Sequence, residues 1–113
     1  MSIDKPKSVS ERVNAKPVAP ELGSKLGIAI QTIGALPING LRLMPTSGTN
    51  GWYIWCGGEM SADPEFFASL HIEHVAKHLS QVTPYLDLPP GYRFQIDGGG
   101  YEDVWFDGSL LSN

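Results

Sequence analysis

The chain has 113 residues, 42% of them hydrophobic and 18% charged, which is enough for one domain with one core and too short for two. Its net charge of -4 is unevenly spread: residues 1–50 carry six basic side chains (Lys5, Lys7, Arg12, Lys16, Lys25, Arg42) against three acidic ones, whereas residues 51–113 carry nine acidic side chains against only Lys77 and Arg93. Such an acidic half repels nucleic-acid phosphates and attracts basic partners.

No apolar run approaches the roughly 20 residues of a bilayer span, and no charged-then-apolar leader is visible, so neither a membrane nor a secretory route is expected. Cys56 is the single cysteine, which excludes an intrachain disulfide and fits a reducing, cytoplasmic location. It sits in an apolar run and reads as a small buried hydrophobe, not a reactive thiol. Thirteen Gly and nine Pro imply many turns and short elements.

Residues 1–19 are polar, contain proline and lack period, so they are expected to form a flexible N-terminal arm, with a single domain over residues 20–113. From Pro20 the apolar residues Leu22, Leu26, Ala29, Ile30 and Ile33 fall on a helical stripe. Gly23 and Gly27 weaken that helix by roughly 1 kcal/mol each. A short strand from Ile28 to Ile33 is the competing reading. Asn39-Gly40 signals a turn, and Leu41–Met44 a short strand ending at Pro45.

Trp52-Tyr53-Ile54-Trp55-Cys56 is the clearest strand. It is aromatic and β-branched, flanked by glycine, and apolar on both faces, which predicts a central place in the sheet. Asp63-Pro64-Glu65 then reads as a helix start, with an Asp N-cap, Pro at the first helical position and acid in the first turn. The helix is expected to run to about Ser80, with Ala68, Ile72, Val75, Ala76 and Leu79 on the face that meets the sheet.

The last quarter predicts a β-hairpin with Gly98-Gly99-Gly100 as its loop and Asp97 facing Tyr101. This register groups Tyr92, Phe94 and Ile96 with Glu102, Val104 and Phe106. The opposite face then carries Arg93, Gln95, Asp97, Tyr101, Asp103, Trp105 and Asp107, and a slip of one residue would invert these assignments relative to one another. Arg93 is expected across from Trp105, stacked on its indole and close to Asp103 and Asp107.

Two constellations carry possible chemistry. His71, His74 and His78 have spacings that place neighbouring imidazoles on one face of the expected helix, a candidate metal site for an enzyme or sensor. The His-Glu-x-x-His order of a zinc hydrolase is missing, and the polar flank of an amphipathic helix explains the same residues. The carboxylates of the hairpin match neither a twelve-residue calcium loop nor a pair facing across a glycosidase cleft. Set among Trp and Tyr, they suit an interface for a basic partner, or else a solvated acidic surface. The Ser and Thr residues form no nucleophile elbow, and the glycine run lacks the helix and Lys of a phosphate loop. No catalytic residue and no cofactor is assigned.

Several segments, in order, resemble the bacterial immunity protein 33-like family. They are Gly51-Trp52-Tyr53-Ile54-Trp55-Cys56-Gly57, Asp63-Pro64-Glu65-Phe66-Phe67, Leu70-His71-Ile72-Glu73-His74, Leu88-Pro89-Pro90-Gly91-Tyr92-Arg93-Phe94, and Tyr101-Glu102-Asp103-Val104-Trp105-Phe106-Asp107. The resemblance implies a small antidote of a polymorphic toxin system that binds and neutralises a cognate protein toxin. No catalytic residues carry over with it. The expectation is therefore an α+β domain, an antiparallel sheet of about four strands with two helices against it. The expected partner is a toxin with a basic cleft, and the expected contact residues are Arg93, Asp97, Tyr101, Asp103, Trp105 and Asp107.

Overall fold

The computed structural model describes residues 8–112. Trp52–Cys56 lies inside the sheet, as its two apolar faces require. In chain order the strands are β1 (Lys25–Ile28), β2 (Ile38–Arg42), β3 (Trp52–Cys56), β4 (Ala68–His71), β5 (Tyr92–Ile96) and β6 (Glu102–Phe106). They form one six-stranded sheet in the order β4-β1-β3-β2-β5-β6. The β1–β3 pair is parallel and the other four pairs are antiparallel.

The α+β class expected from the sequence is correct, but the sheet is larger and is mixed. Two of its strands come from segments that the helical stripes had claimed. Leu26 fits the helical stripe, but Leu26 and Ile28 together follow a period of two, and both point into the core. The Gly27 backbone lies against the Tyr53 ring, close enough that an added Cβ would stand 2.7 Å from it. A strand accepts that approach, and the expected helix over this segment is replaced by β1 and a 3₁₀ turn, Ile30–Thr32.

The second helix is also shorter than expected. Asp63 does bond the backbone N–H of Glu65 (2.9 Å), but the motif closes a single turn that Phe66 and Phe67 follow. β4 then pairs with β1, and only Val75–Leu79 is α-helical (α2), flanked by 3₁₀ turns over Ile72–His74 and Ser80–Tyr85. A cap specifies where a helix can begin, not whether the next residues find a better partner in a sheet edge.

Asn39-Gly40 is likewise not a turn but the middle of β2. Gly40 lies directly under Phe94, whose ring atoms would stand 2.2–2.9 Å from a Cβ built there. The aromatic ring fills the room that the missing side chain leaves.

The larger core cluster lies on one face of the sheet. Leu26, Ile28, Ile38, Trp52, Ile54, Phe94 and Ile96 meet Val75, Leu79, Val82, Tyr85, Leu86 and Leu88 from the helical layer. In the segment expected to be an arm, the described part carries a helical turn, Val9–Arg12 (α1), whose Val9 is buried in this core. Residues 1–7 of that arm lie outside the described residues.

Arg42 is sealed in the same layer at 2% exposure. Its Nε donates to the carbonyl of Asn50 (3.2 Å) and its Nη1 to those of Val18 (2.5 Å) and Leu88 (2.7 Å), while the guanidinium lies 5.7 Å from the Trp52 ring centre. Burial lowers its pKa from the usual arginine value. One side chain thereby ties together three irregular segments.

Candidate functional site

The hairpin register places the site residues. Tyr92 faces Phe106, Arg93 faces Trp105, Phe94 faces Val104, Gln95 faces Asp103 and Ile96 faces Glu102, with Asp97 N–H donating to Tyr101 O at 3.3 Å. This is the register expected from the sequence. Gly98 and Gly100 adopt φ of 77° and 110°, the positive values that the loop needs. Phe94 and Ile96 enter the core, and the opposite face carries Arg93, Gln95, Asp103 and Trp105, joined through β2 and β3 by Asn39, Leu41, Tyr53 and Trp55.

The six expected contact residues do different jobs within this face. Asp97 shapes the loop: its Oδ1 accepts from the N–H of Gly99 (2.7 Å) and of Tyr101 (3.0 Å). Asp107 caps the terminal 3₁₀ turn, Gly108–Leu111, accepting from the Ser109 N–H (3.1 Å) and hydroxyl (2.6 Å), and its other oxygen takes Arg93 Nε at 2.8 Å. The Ser109 hydroxyl bond, more than the Arg93 guanidinium, holds the Asp107 carboxyl below its usual pKa. Arg93 is thus engaged by Asp107. The guanidinium-over-indole contact expected with Trp105 occurs instead between Arg42 and Trp52.

The three remaining residues face solvent. Tyr101 is 46% exposed and Trp105 38%, and Asp103 is exposed between them in sequence. Tyr101 is not loose. Its hydroxyl donates to Gln95 Oε1 (2.8 Å), Gln95 Nε2 donates to Asn39 Oδ1 (2.8 Å), and Asn39 Nδ2 donates to the carbonyls of Gly57 (3.1 Å) and Pro37 (3.2 Å). A chain of hydrogen bonds therefore runs across the sheet and braces an exposed aromatic ring. Next to it lies a concavity of about 400 Å³, with Asn39 and Gln95 among its lining residues and Trp55, Trp105, Arg93 and Glu59 around them. A rigid aromatic group beside a shallow pocket, with carboxylates near it, is the anatomy of an interface anchor.

Gln95 and Asn39 were not among the expected contact residues. Gln95 was already on the right face. Asn39 was hidden by the turn reading of Asn39-Gly40, and no period of two in Ile38-Asn39-Gly40-Leu41 corrects it, because Ile38 and Leu41 are buried on opposite faces of β2.

A larger concavity of about 610 Å³ lies at the start of β1, between residues 18–25 and 45–50. Its charges, Glu21 and Lys25, are of opposite sign, and Arg42 beneath is bonded to backbone carbonyls, so no single ligand chemistry converges there.

The histidine cluster is not the helical face that the spacing suggested. His71 ends β4, His74 closes a 3₁₀ turn and His78 lies in α2. The His71 and His74 rings are 6.0 Å apart, and His71 Nδ1 lies 3.3 Å from the Gly23 carbonyl. Among the described residues, no group of three or more His, Cys, Asp or Glu side chains is arranged to hold a metal ion. The strand that replaces the first half of the expected helix is what separates them. Cys56 is buried, and burial pushes its thiol pKa up, away from the reactive range. Among the described residues no helix is long and apolar enough to cross a membrane.

Fold and site together define a small α+β protein with a braced aromatic and acidic sheet face. The family model for the Imm33-like domain matches residues 5–107, nearly the whole chain, and the chain belongs to that family. No curated protein and no solved structure matches the sequence.

Proposed function

We propose that this chain is an immunity protein that binds a cognate bacterial toxin in the cytoplasm and neutralises it by occluding its active site, without catalysis of its own. Membership of the Imm33-like family carries this reading. The exposed face of the hairpin is the part of the molecule best suited to the contact. Tyr101 is held by the Gln95–Asn39 chain, Trp105 presents an indole beside a pocket, and Asp103 supplies a carboxylate that makes no hydrogen bond among the described residues. A partner with a basic cleft meets complementary charge here, while phosphate backbones are repelled.

The test is direct binding to a cognate toxin, sought among the products of the neighbouring genes. Trp105→Ala is expected to weaken the complex by about 2 kcal/mol or more, mainly through faster dissociation. Asp103→Lys is expected to slow association at low salt and to lose that effect as salt is added. Asp107 is left unchanged because it caps the chain end. Wild-type affinity and rates in both variants would remove this face from the contact.

A further inference from the structure

The sheet has two edges, and β6 is the more open one. Hydrogen bonds run from Asp97 N–H to Tyr101 O and from Asp107 N–H to Gly91 O. In an antiparallel ladder, inward and outward groups alternate along the strand. Residues 101, 103, 105 and 107 therefore bond to β5, and the N–H and C=O groups of Glu102, Val104 and Phe106 point away from the sheet. No backbone partner meets these three residues among the described residues. The opposite edge, β4, is shorter. By the same parity, set by Ile72 N–H to Ser24 O, it turns out only Ser69 and His71 before the chain bends into a 3₁₀ turn.

Edge strands are usually protected by lysine, proline or a bulge. β6 reads Glu-Asp-Val-Trp-Phe and pairs with β5 without a bulge. Phe106 is 55% exposed. Of its two carboxylates, Glu102 is drawn back by Arg12 (2.6 and 3.1 Å) and by the Tyr85 hydroxyl.

We propose that β6 pairs antiparallel with β6 of a second copy of this chain, joining two sheets into one. The outward set has its centre at Val104, so a twofold axis there lays Val104 on its own symmetry mate. Glu102 then faces Phe106 of the other copy, and Asp103 faces Trp105. No carboxylate meets its like across the seam, and the exposed Phe106 ring, opposite Glu102, comes diagonal to Val104 of the other copy. The outward N–H and C=O groups of all three residues find partners, and the Asp103–Trp105 faces of the two copies become continuous. This inference does not depend on the toxin reading.

Sedimentation velocity of the full chain, from micromolar to several hundred micromolar at moderate salt, is expected to show a monomer passing to a dimer. Added salt is expected to strengthen the association, because each copy carries a net charge of -4. Hydrogen exchange is expected to show the Glu102, Val104 and Phe106 amides becoming protected with concentration, while those of Asp103 and Trp105 are protected throughout. Val104→Pro removes only an outward N–H, and Val104→Lys adds an edge charge; with folding checked by circular dichroism, either is expected to leave a monomer. A monomer at every concentration overturns the proposal. If the three amides then become protected only when the toxin is added, the edge belongs to the partner instead. A dimer that persists in both folded variants also overturns it.

Discussion

On one face of the sheet Trp52 is wholly buried and Phe94 is 1% exposed, packed between Trp52 (5.6 Å between ring centres) and Tyr85 (4.8 Å, nearly parallel). On the other, Phe66, Phe67 and Leu110 pack against a smaller cluster of Ala29, Leu41 and Trp55, from the end of β1 across β3 to β2, and leave Tyr101 and Trp105 of the hairpin exposed. The same strands supply both faces. Burial of aromatic rings holds the closed face together, whereas a relay of amides and a tyrosine hydroxyl organises the open one. Under the proposed function, stability and recognition therefore rest on different faces. Damage to the closed face should unfold the protein, and damage to the open face should leave it folded but unable to engage a partner.

The largest effect is expected from Phe94→Ala, which empties the space above Gly40 and should cost about 3–5 kcal/mol, read from the urea midpoint. Replacing Arg42 by Met should cost roughly 3 kcal/mol, because the carbonyls of Val18, Asn50 and Leu88 would stay buried without their donor. Lysine at position 42 should not restore this loss, since it cannot reproduce the fork of donors. Either result near zero would mean that the closed face is not what holds the fold.

A middle-sized effect is expected at the seam where α1, the helical layer and the hairpin meet. Glu102→Gln should cost about 1–2 kcal/mol at neutral pH by weakening the bonds to Arg12 and Tyr85. The same cluster predicts pH dependence at both ends. Burial first, and then the bond to Glu102, push the Tyr85 hydroxyl from its ordinary value of 10.0 up to about 12. The folded state therefore holds that proton more tightly than the unfolded chain, and stability should fall as pH rises through this interval. The Arg12 hydrogen bond lowers the Glu102 pKa, with Tyr85 adding to it, so that contribution should be lost as pH falls below the ordinary carboxylate range. Thermal melts across pH, with Tyr85→Phe as the control for the alkaline limb, would check both signs.

The smallest stability changes belong to the open face. Tyr101→Phe removes the hydroxyl that anchors the ring and should cost less than about 1 kcal/mol. Trp105→Ala should stay within about 0.5 kcal/mol of wild type, while its effect on toxin binding should be the larger of the two. Should Trp105→Ala unfold the protein, the division between the faces would fail.

Some of this was legible without coordinates, for local reasons. The hairpin register followed from alternation on both sides of a glycine loop, and the placement of Trp52–Cys56 inside the sheet followed from apolar side chains on both of its faces. Both signals are complete within a few consecutive residues. The sequence also determined the class of fold and, through its motifs, the family.

The tertiary structure decided what depends on distant partners. Leu26 fits the helical stripe with Leu22, Ala29 and Ile33, and the period of two that it shares with Ile28 prevails only once β3 and β4 lie beside them. Asn39-Gly40 reads as a turn until Phe94 covers the glycine and Gln95 bonds the asparagine. The spacing of His71, His74 and His78 implies a common face only if the segment is helical throughout, and pairing of Ala68–His71 with β1 removes that condition. Which carboxylates stay available was only partly local: Asp97 bonds N–H groups of its own loop, whereas Glu102 and Asp107 also take Arg12, Tyr85 and Arg93, which the fold brings to them. Periodicity describes one strand or helix at a time; a buried contact needs two, and that second element is what a linear chain does not name.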